Sequence, residues 1–308
     1  MQYSSTLLVV AFTITRVLAH GVVTEVQGAN GVTMPGLSVV DGTPRDCPTA
    51  RCGAQSDTAI IRKNELGTTK ASALGRTTGS GPIDATKMMA VFMDGAAGNT
   101  TAVKEARALH FAAMKKRQLF GGANKAAAGT KTPAGTTETG VQAATGQGAS
   151  SGLPTTNAAG EIDMTLHQIN QDGAGPFKAK IDGTSGGTDV TAFEDAEVTQ
   201  NVPGIVAGLS AATNMDFKMT VAMPAGMTCN GQVGDATNVC VGMVANSAAA
   251  GPFGGAYAFT QSTAARKRAI QYRLRKRNLA KALGRRQTED EIDVDELEEL
   301  IALEDGTS

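Results

Sequence analysis

The clearest pattern in the chain is a strict alternation between Asp216 and Pro224. Phe217, Met219, Val221 and Met223 are apolar, and Lys218, Thr220 and Ala222 fall between them. A period of two puts one set on a buried face and predicts a half-buried strand. Residues 21–26, 239–244 and 256–260 read as further strands, and the apolar run 86–93 reads as strand-like. Residues 100–120 follow a helical period instead. Ala102, Val103, Ala106, Leu109, Ala113 and Met114 recur at that spacing, and Lys115-Lys116-Arg117 suit the negative end of the helix macrodipole. Residues 41–57, with their Pro, Gly and Cys content, read as a tied loop. Residues 121–160 are a low-complexity run of Gly, Ala, Thr and Ser, expected to be a mobile loop. Short strands separated by Gly/Pro turns favour a mainly β chain: an immunoglobulin-like β-sandwich carrying loop and helix insertions.

The two ends break this pattern. Residues 7–14 are apolar, and Val17 and Ala19 suit the −3 and −1 positions of signal-peptidase cleavage. A signal peptide over 1–19 would leave His20 as the first residue of the secreted chain. Residues 20–265 then form the β-sandwich domain, and 266–308 form a separate charged tail, helical or disordered. That tail holds ten Lys or Arg between 266 and 286 without an acid, then ten acids between 289 and 305 without a base. The formal net charge of −1 therefore hides a polarised end, while the body is close to neutral. No nucleic-acid partner is expected, and the tail is a candidate for contact with anionic surfaces. After residue 19 no apolar stretch is long enough to span a bilayer, so a secreted or cell-surface protein is expected. The sequon Asn99-Thr100-Thr101 fits that route.

Four cysteines, Cys47, Cys52, Cys229 and Cys240, are an even set for an oxidising compartment. Three pairings are possible. Cys47–Cys52 and Cys229–Cys240 are favoured because each closes a short loop. The chain has no Cys-x-x-Cys, which argues against a zinc ribbon or a thioredoxin-like site.

The chain has only three histidines, His20, His110 and His167. An N-terminal His20 would offer one metal two nitrogens, its ring and its α-amine. The amine titrates near about pH 8 and can give up its proton to copper at modest cost. One more imidazole completes a three-nitrogen histidine brace, which suits the tetragonal preference of Cu(II). His167 is the expected second ligand. It opens a polar segment that runs into Gly173-Ala174-Gly175-Pro176, the kind of loop that presents functional side chains. Asp172 in that segment is a candidate carboxylate partner or a turn residue. His110, on the 100–120 helix, is the alternative ligand.

Several longer motifs occur in order: His20-Gly21-Val22-Val23, Pro44-Arg45-Asp46-Cys47, residues 167–177, Val198-Thr199-Gln200-Asn201-Val202-Pro203-Gly204, Met223-Pro224-Ala225-Gly226-Met227-Thr228-Cys229 and Ala249-Ala250-Gly251-Pro252-Phe253-Gly254-Gly255. Through them the chain resembles the appressorium-associated, Egh-like virulence factors of pathogenic fungi, also called MAS or GAS cell-surface proteins. That resemblance implies a secreted protein of host penetration. A looser resemblance, carried by His20-Gly21 and a downstream histidine in a secreted β domain, is to copper-dependent lytic polysaccharide monooxygenases and their non-catalytic copper-binding relatives. It implies copper at His20 and His167, with an axial aromatic for which Tyr257 or Phe259 is placed. Aromatics suited to a sugar-stacking face are few: there is no Trp, and only Tyr257 and Tyr272 follow residue 19 among the tyrosines. Three functions stay open: a copper enzyme oxidising cell-wall polysaccharide, a copper-binding protein without turnover, and a structural or adhesive surface protein without a metal site.

Overall fold

The computed structural model describes residues 20–120 and 129–282. The expected signal peptide, residues 121–128 and the acidic half of the tail lie outside the described residues. In chain order, β1 (Gly21–Gln27), β2 (Thr33–Pro35), β3 (Ala59–Ile60), β4 (Arg76–Thr77) and β5 (Gly81–Pro82) precede three helices, α1 (Ala85–Met93), α2 (Gly95–Gly98) and α3 (Thr101–Phe120). Then come β6 (Thr130–Lys131), α4 (Gly140–Ala144), α5 (Gly148–Ser151), β7 (Glu161–Gln168), β8 (Lys178–Asp182), β9 (Phe193–Gln200) and β10 (Met215–Ala222). The chain continues through β11 (Gly231–Val233), β12 (Ala236–Ala245), β13 (Phe253–Thr260) and α6 (Thr263–Ala282).

The β class is as the alternation predicts. The strands join one antiparallel sheet, in the order β2-β1-β7-β10-β9-β8-β12-β13-β3-β4-β5, with β6 on β10 and β11 on β12. Two separate sheets do not form, because β9 pairs with β10 on one side and β8 on the other. The sheet rolls until β1 lies against β13 without pairing. The approach is so close that a Cβ on Gly255 would sit 2.7 Å from the Val23 side chain.

The roll gives β1 and β12 two largely buried faces, while β9 exposes much of its length. Inside it, Val23, Leu166, Met164, Phe217, Met219, Tyr257 and Phe259 form one core. Outside, Val22, Met34, Leu74, Val239 and Val241 pack under Met88, Met89 and Phe92 of α1 in a second. Both disulfides are the short-range ones, Cys47–Cys52 and Cys229–Cys240. The second is buried in the inner core.

Three sequence expectations are corrected. Residues 86–93 are helical, not a strand. A continuous apolar run fits either state, and the deciding signals are the buried positions Ala85, Met88, Met89 and Phe92 at helical spacing and the Asp84 side chain that accepts from Thr86 N. Residues 129–160 are built into the fold. The ends of α4 are satisfied by distant side chains: Asp41 accepts from Val141 N and Gln142 N, and Arg107 donates to Ala143 O and Thr145 O. Small residues such as Ala143 and Ala144 are buried there, so low complexity conceals packing. Finally, only part of the apolar set of α3 that is described turns to the domain. Val103, Ala106, Arg107 and His110 face inward, while Leu109 is 72% and Phe111 53% exposed. Specific acceptors for Arg107 and His110 set the rotation of the helix.

The expected boundary at 265/266 falls inside α6. Ala265, Ala269 and Ile270 are buried. Arg266 donates to Cys229 O and Asn230 Oδ1, and Arg268 to Ala158 O. The first half of the basic block thus lies on the domain.

Candidate functional site

β1 and β7 pair with Val22 opposite His167 and Gly21 opposite Gln168. Ile169 N donates to His20 O at 2.9 Å, which carries the register one step further. His20, Val22, His167 and Ile169 therefore share one face, with His20 and His167 on a diagonal of about 7–8 Å.

His20 is buried. Its backbone N donates to Asn170 Oδ1 at 2.7 Å, and its ring lies 4.5 Å from that of Phe253. The 169–176 loop wraps it so closely that a Cβ on Gly173 would come within 2.0 Å of His20 O. Asn246 ties this loop to the Phe253 strand. Its Nδ2 donates to Asp172 O and Ala174 O, and its Oδ1 accepts from Ala248 N and Phe253 N. Asp172 is buried, and desolvation holds its carboxyl above the usual carboxylate range. Its Oδ1 has no hydrogen-bond partner.

His167 is 1% exposed. Its Nδ1 donates to Asp216 Oδ1 at 2.7 Å, the residue opposite it on β10. A carboxylate can only accept, so this bond sets the proton on Nδ1 and leaves Nε2 with a lone pair. That Nε2 is buried without a hydrogen-bond partner. A carboxylate on one ring nitrogen, with the other left open, is the arrangement that orients metal-ligating histidines.

His110 sits elsewhere on the same outer side. Its Nε2 donates to Glu25 Oε1 at 3.2 Å, and its Nδ1 pairs with Thr139 Oγ1 at 3.3 Å. Glu25, His110, His167 and Asp216 all line one cleft of about 440 Å³, between the outer face of β1, β7 and β10 and a wall made by α3 and residues 136–140. Within the cleft's lining Arg45 is buried between Asp57 and Glu138, at 2.6 and 2.9 Å. Burial alone would push the Glu138 carboxyl up. Arg45 and the backbone N–H groups of Gly140 and Thr139 outweigh it and hold it below the usual range.

Tyr257 and Phe259, the axial candidates implied by the resemblance to copper monooxygenases, both lie in the inner core, stacked on each other at 5.8 Å. The Tyr257 hydroxyl is buried and its pKa is pushed up by that burial. The ring that meets His20 is Phe253. Among the described residues no group of three or more His, Cys, Asp or Glu side chains is placed to hold a metal ion. A brace needs only two imidazoles and one amine. The unpartnered His167 Nε2 and the amine position held by Asn170 fit that donor set.

Sequence reasoning missed Asn170, Asn246, Phe253, Glu25 and Asp216. Phe253 stands in the Gly251–Gly255 motif, and Asp216 opens the alternating strand, so each had a local signal. The partners themselves are long-range. Residues 183–187 also spell Gly-Thr-Ser-Gly-Gly, the letters of a nucleophile elbow. Here they form a turn after β8, where the Ser185 hydroxyl donates to Asp182, which also accepts from Thr184 N and Gly187 N.

Fold and site together define a mainly β protein with two short-range disulfides, a helical outer layer and a buried histidine at the start of its first strand. Residues 18–254 match the Egh16-like virulence factor model, and the chain belongs to that family. It is 59% identical over 292 residues to the appressoria-specific virulence factor GAS2 of Pyricularia oryzae, covering 94% of this chain and 100% of that protein. It is also 28% identical over 242 residues to the appressoria-specific virulence factor GAS1 of the same fungus, covering 79% of this chain and 72% of that protein. No solved structure matches the chain. No helix among the described residues is long and apolar enough to cross a membrane.

Proposed function

We propose that this is a secreted, virulence-associated protein of host penetration that binds one copper ion at His20. The relatives' appressorial role and the two disulfides support the setting. With the chain starting at His20, the donors are its α-amine, one of its ring nitrogens and His167 Nε2. The carrying observation is His167, whose Nδ1 is committed to Asp216 and whose Nε2 is buried and unpartnered.

Copper in such a centre supplies one-electron redox chemistry, and a cell-wall polysaccharide is the proposed substrate of that chemistry. The chain's own residues do the rest. Asp216 fixes the His167 tautomer. Asn170 holds the amine in place. Phe253, rather than Tyr257, shields one side of the His20 ring.

The test is to map the first residue of the secreted protein and titrate it with Cu(II) under electron paramagnetic resonance. His167→Ala should abolish tight binding, and Asp216→Asn should weaken it about 10–100-fold. His110→Ala should leave it unchanged. A first residue other than His20, or unchanged affinity in His167→Ala, overturns the reading. It would leave a structural or adhesive surface protein without a metal site.

A further inference from the structure

The cleft under α3 has walls that the copper reading does not use. Its size, about 440 Å³, falls within the ~300–1,000 Å³ of small-ligand sites. More of its lining is apolar than polar, and the polar part comes largely from hydroxyl and amide side chains. Thr33, Thr130, Thr137 and Thr165 come to it from four separate segments, with Gln27 and Gln147 among them.

The cleft's charges are largely matched within the protein. Arg45 meets Asp57 and Glu138, His110 meets Glu25, and His167 meets Asp216. Lys218 also lines the cleft but is exposed at its edge. Apart from an anion at Lys218, an ionic ligand would have to break these pairs to gain a partner. A neutral ligand rich in hydroxyls would not. The paired carboxylates keep spare lone pairs, and each carboxylate can accept from more than one donor. One apolar ring, Phe111 of α3, lines the same cleft while 53% exposed. It thus stands at the rim and offers a face on which the C–H side of a sugar ring can stack.

We infer that this cleft binds a neutral saccharide of about one to two sugar rings, held by threonine and carboxylate hydrogen bonds and by stacking on Phe111. Binding in the cleft stands without copper. It rests on the copper reading only for one consequence: His167 lies in the shared wall, so a bound sugar would sit beside the metal.

Calorimetry on full-length protein stripped of metal tests this. The probes are cellobiose, di-N-acetylchitobiose and inorganic phosphate. At least one disaccharide should bind saturably with Kd of about 1 mM or tighter. Phe111→Ala and Thr137→Val should each weaken it about tenfold or more, a loss of one decade per 1.4 kcal/mol. Phe111 is exposed, and Thr137→Val preserves shape, so both variants should fold, as circular dichroism would verify. His20→Ala should leave sugar binding unchanged while abolishing the copper signal, which separates the two readings. No saturation by either disaccharide, phosphate as the tighter ligand, or unchanged affinity in both variants overturns the inference.

Discussion

β1, β7 and β10 show two chemistries on opposite faces of the same strands. Inward, Val23, Leu166 and Phe217 are buried in an apolar core. Outward, His167 and Asp216 face each other across one pair of strands, with Glu25 and Thr165 across the other. The inner face holds the roll together by area removed from water. The outer face carries His167, buried with its Nε2 unpartnered, which is costly for stability and useful for binding. One strand period thus separates what stabilises the protein from the face on which both proposed ligands are placed.

Breaking the outer wall at its ion pairs should give the largest loss. Arg45→Met leaves Asp57 and Glu138 buried without their cation and should cost about 3–5 kcal/mol by denaturant unfolding. The same pairs set a pH limit. Glu138 titrates lower folded than unfolded, so its contribution is complete above about pH 4.3 and is lost as pH falls through the folded value. An acid melt in which Arg45→Met keeps the wild-type pH dependence would contradict this.

The inner face comes next. Leu166→Ala should cost about 2–5 kcal/mol, and its saccharide and copper affinities should match wild type while it stays folded. Lost affinity in folded protein would show that the two faces are coupled.

The smallest effect has the opposite sign. Asp172 titrates higher folded than unfolded, so the folded state holds its proton more tightly and stability falls as pH rises. Asp172→Asn should raise the melting temperature at pH 7. That gain should vanish below about pH 3.9, where the unfolded carboxyl is also protonated. A lower melting temperature at pH 7 would assign Asp172 a partner that stabilises its charge.

The inner face was legible in the sequence because its information is local. Alternation at Phe217, Met219 and Val221 needs no knowledge of the partner strand. Both disulfides were legible for the same reason. The cleft was not, because its walls lie far apart along the chain: Glu25 meets His110 across 85 residues and Arg45 meets Glu138 across 93. Its far wall comes from residues 129–144, where Gly, Ala and Thr give no period to read. The His20 site lay between these cases. His20 and His167 could be named from their settings, but Phe253 and Asn246 reach the loop only through the rolled sheet. The helix at 85–93 was misread because a short apolar run has no period of its own.

The pairing of β1 also bears on the order in which the molecule assembles. Its neighbour β7 lies about 140 residues downstream, and β13, against which it closes, lies farther still. Contacts between such distant segments form slowly, since most of the intervening chain must be gathered first. The first strand to leave the ribosome therefore waits for nearly the last. His20 becomes fixed only when the roll closes, so under the proposed copper reading a binding assay doubles as a readout of completed folding.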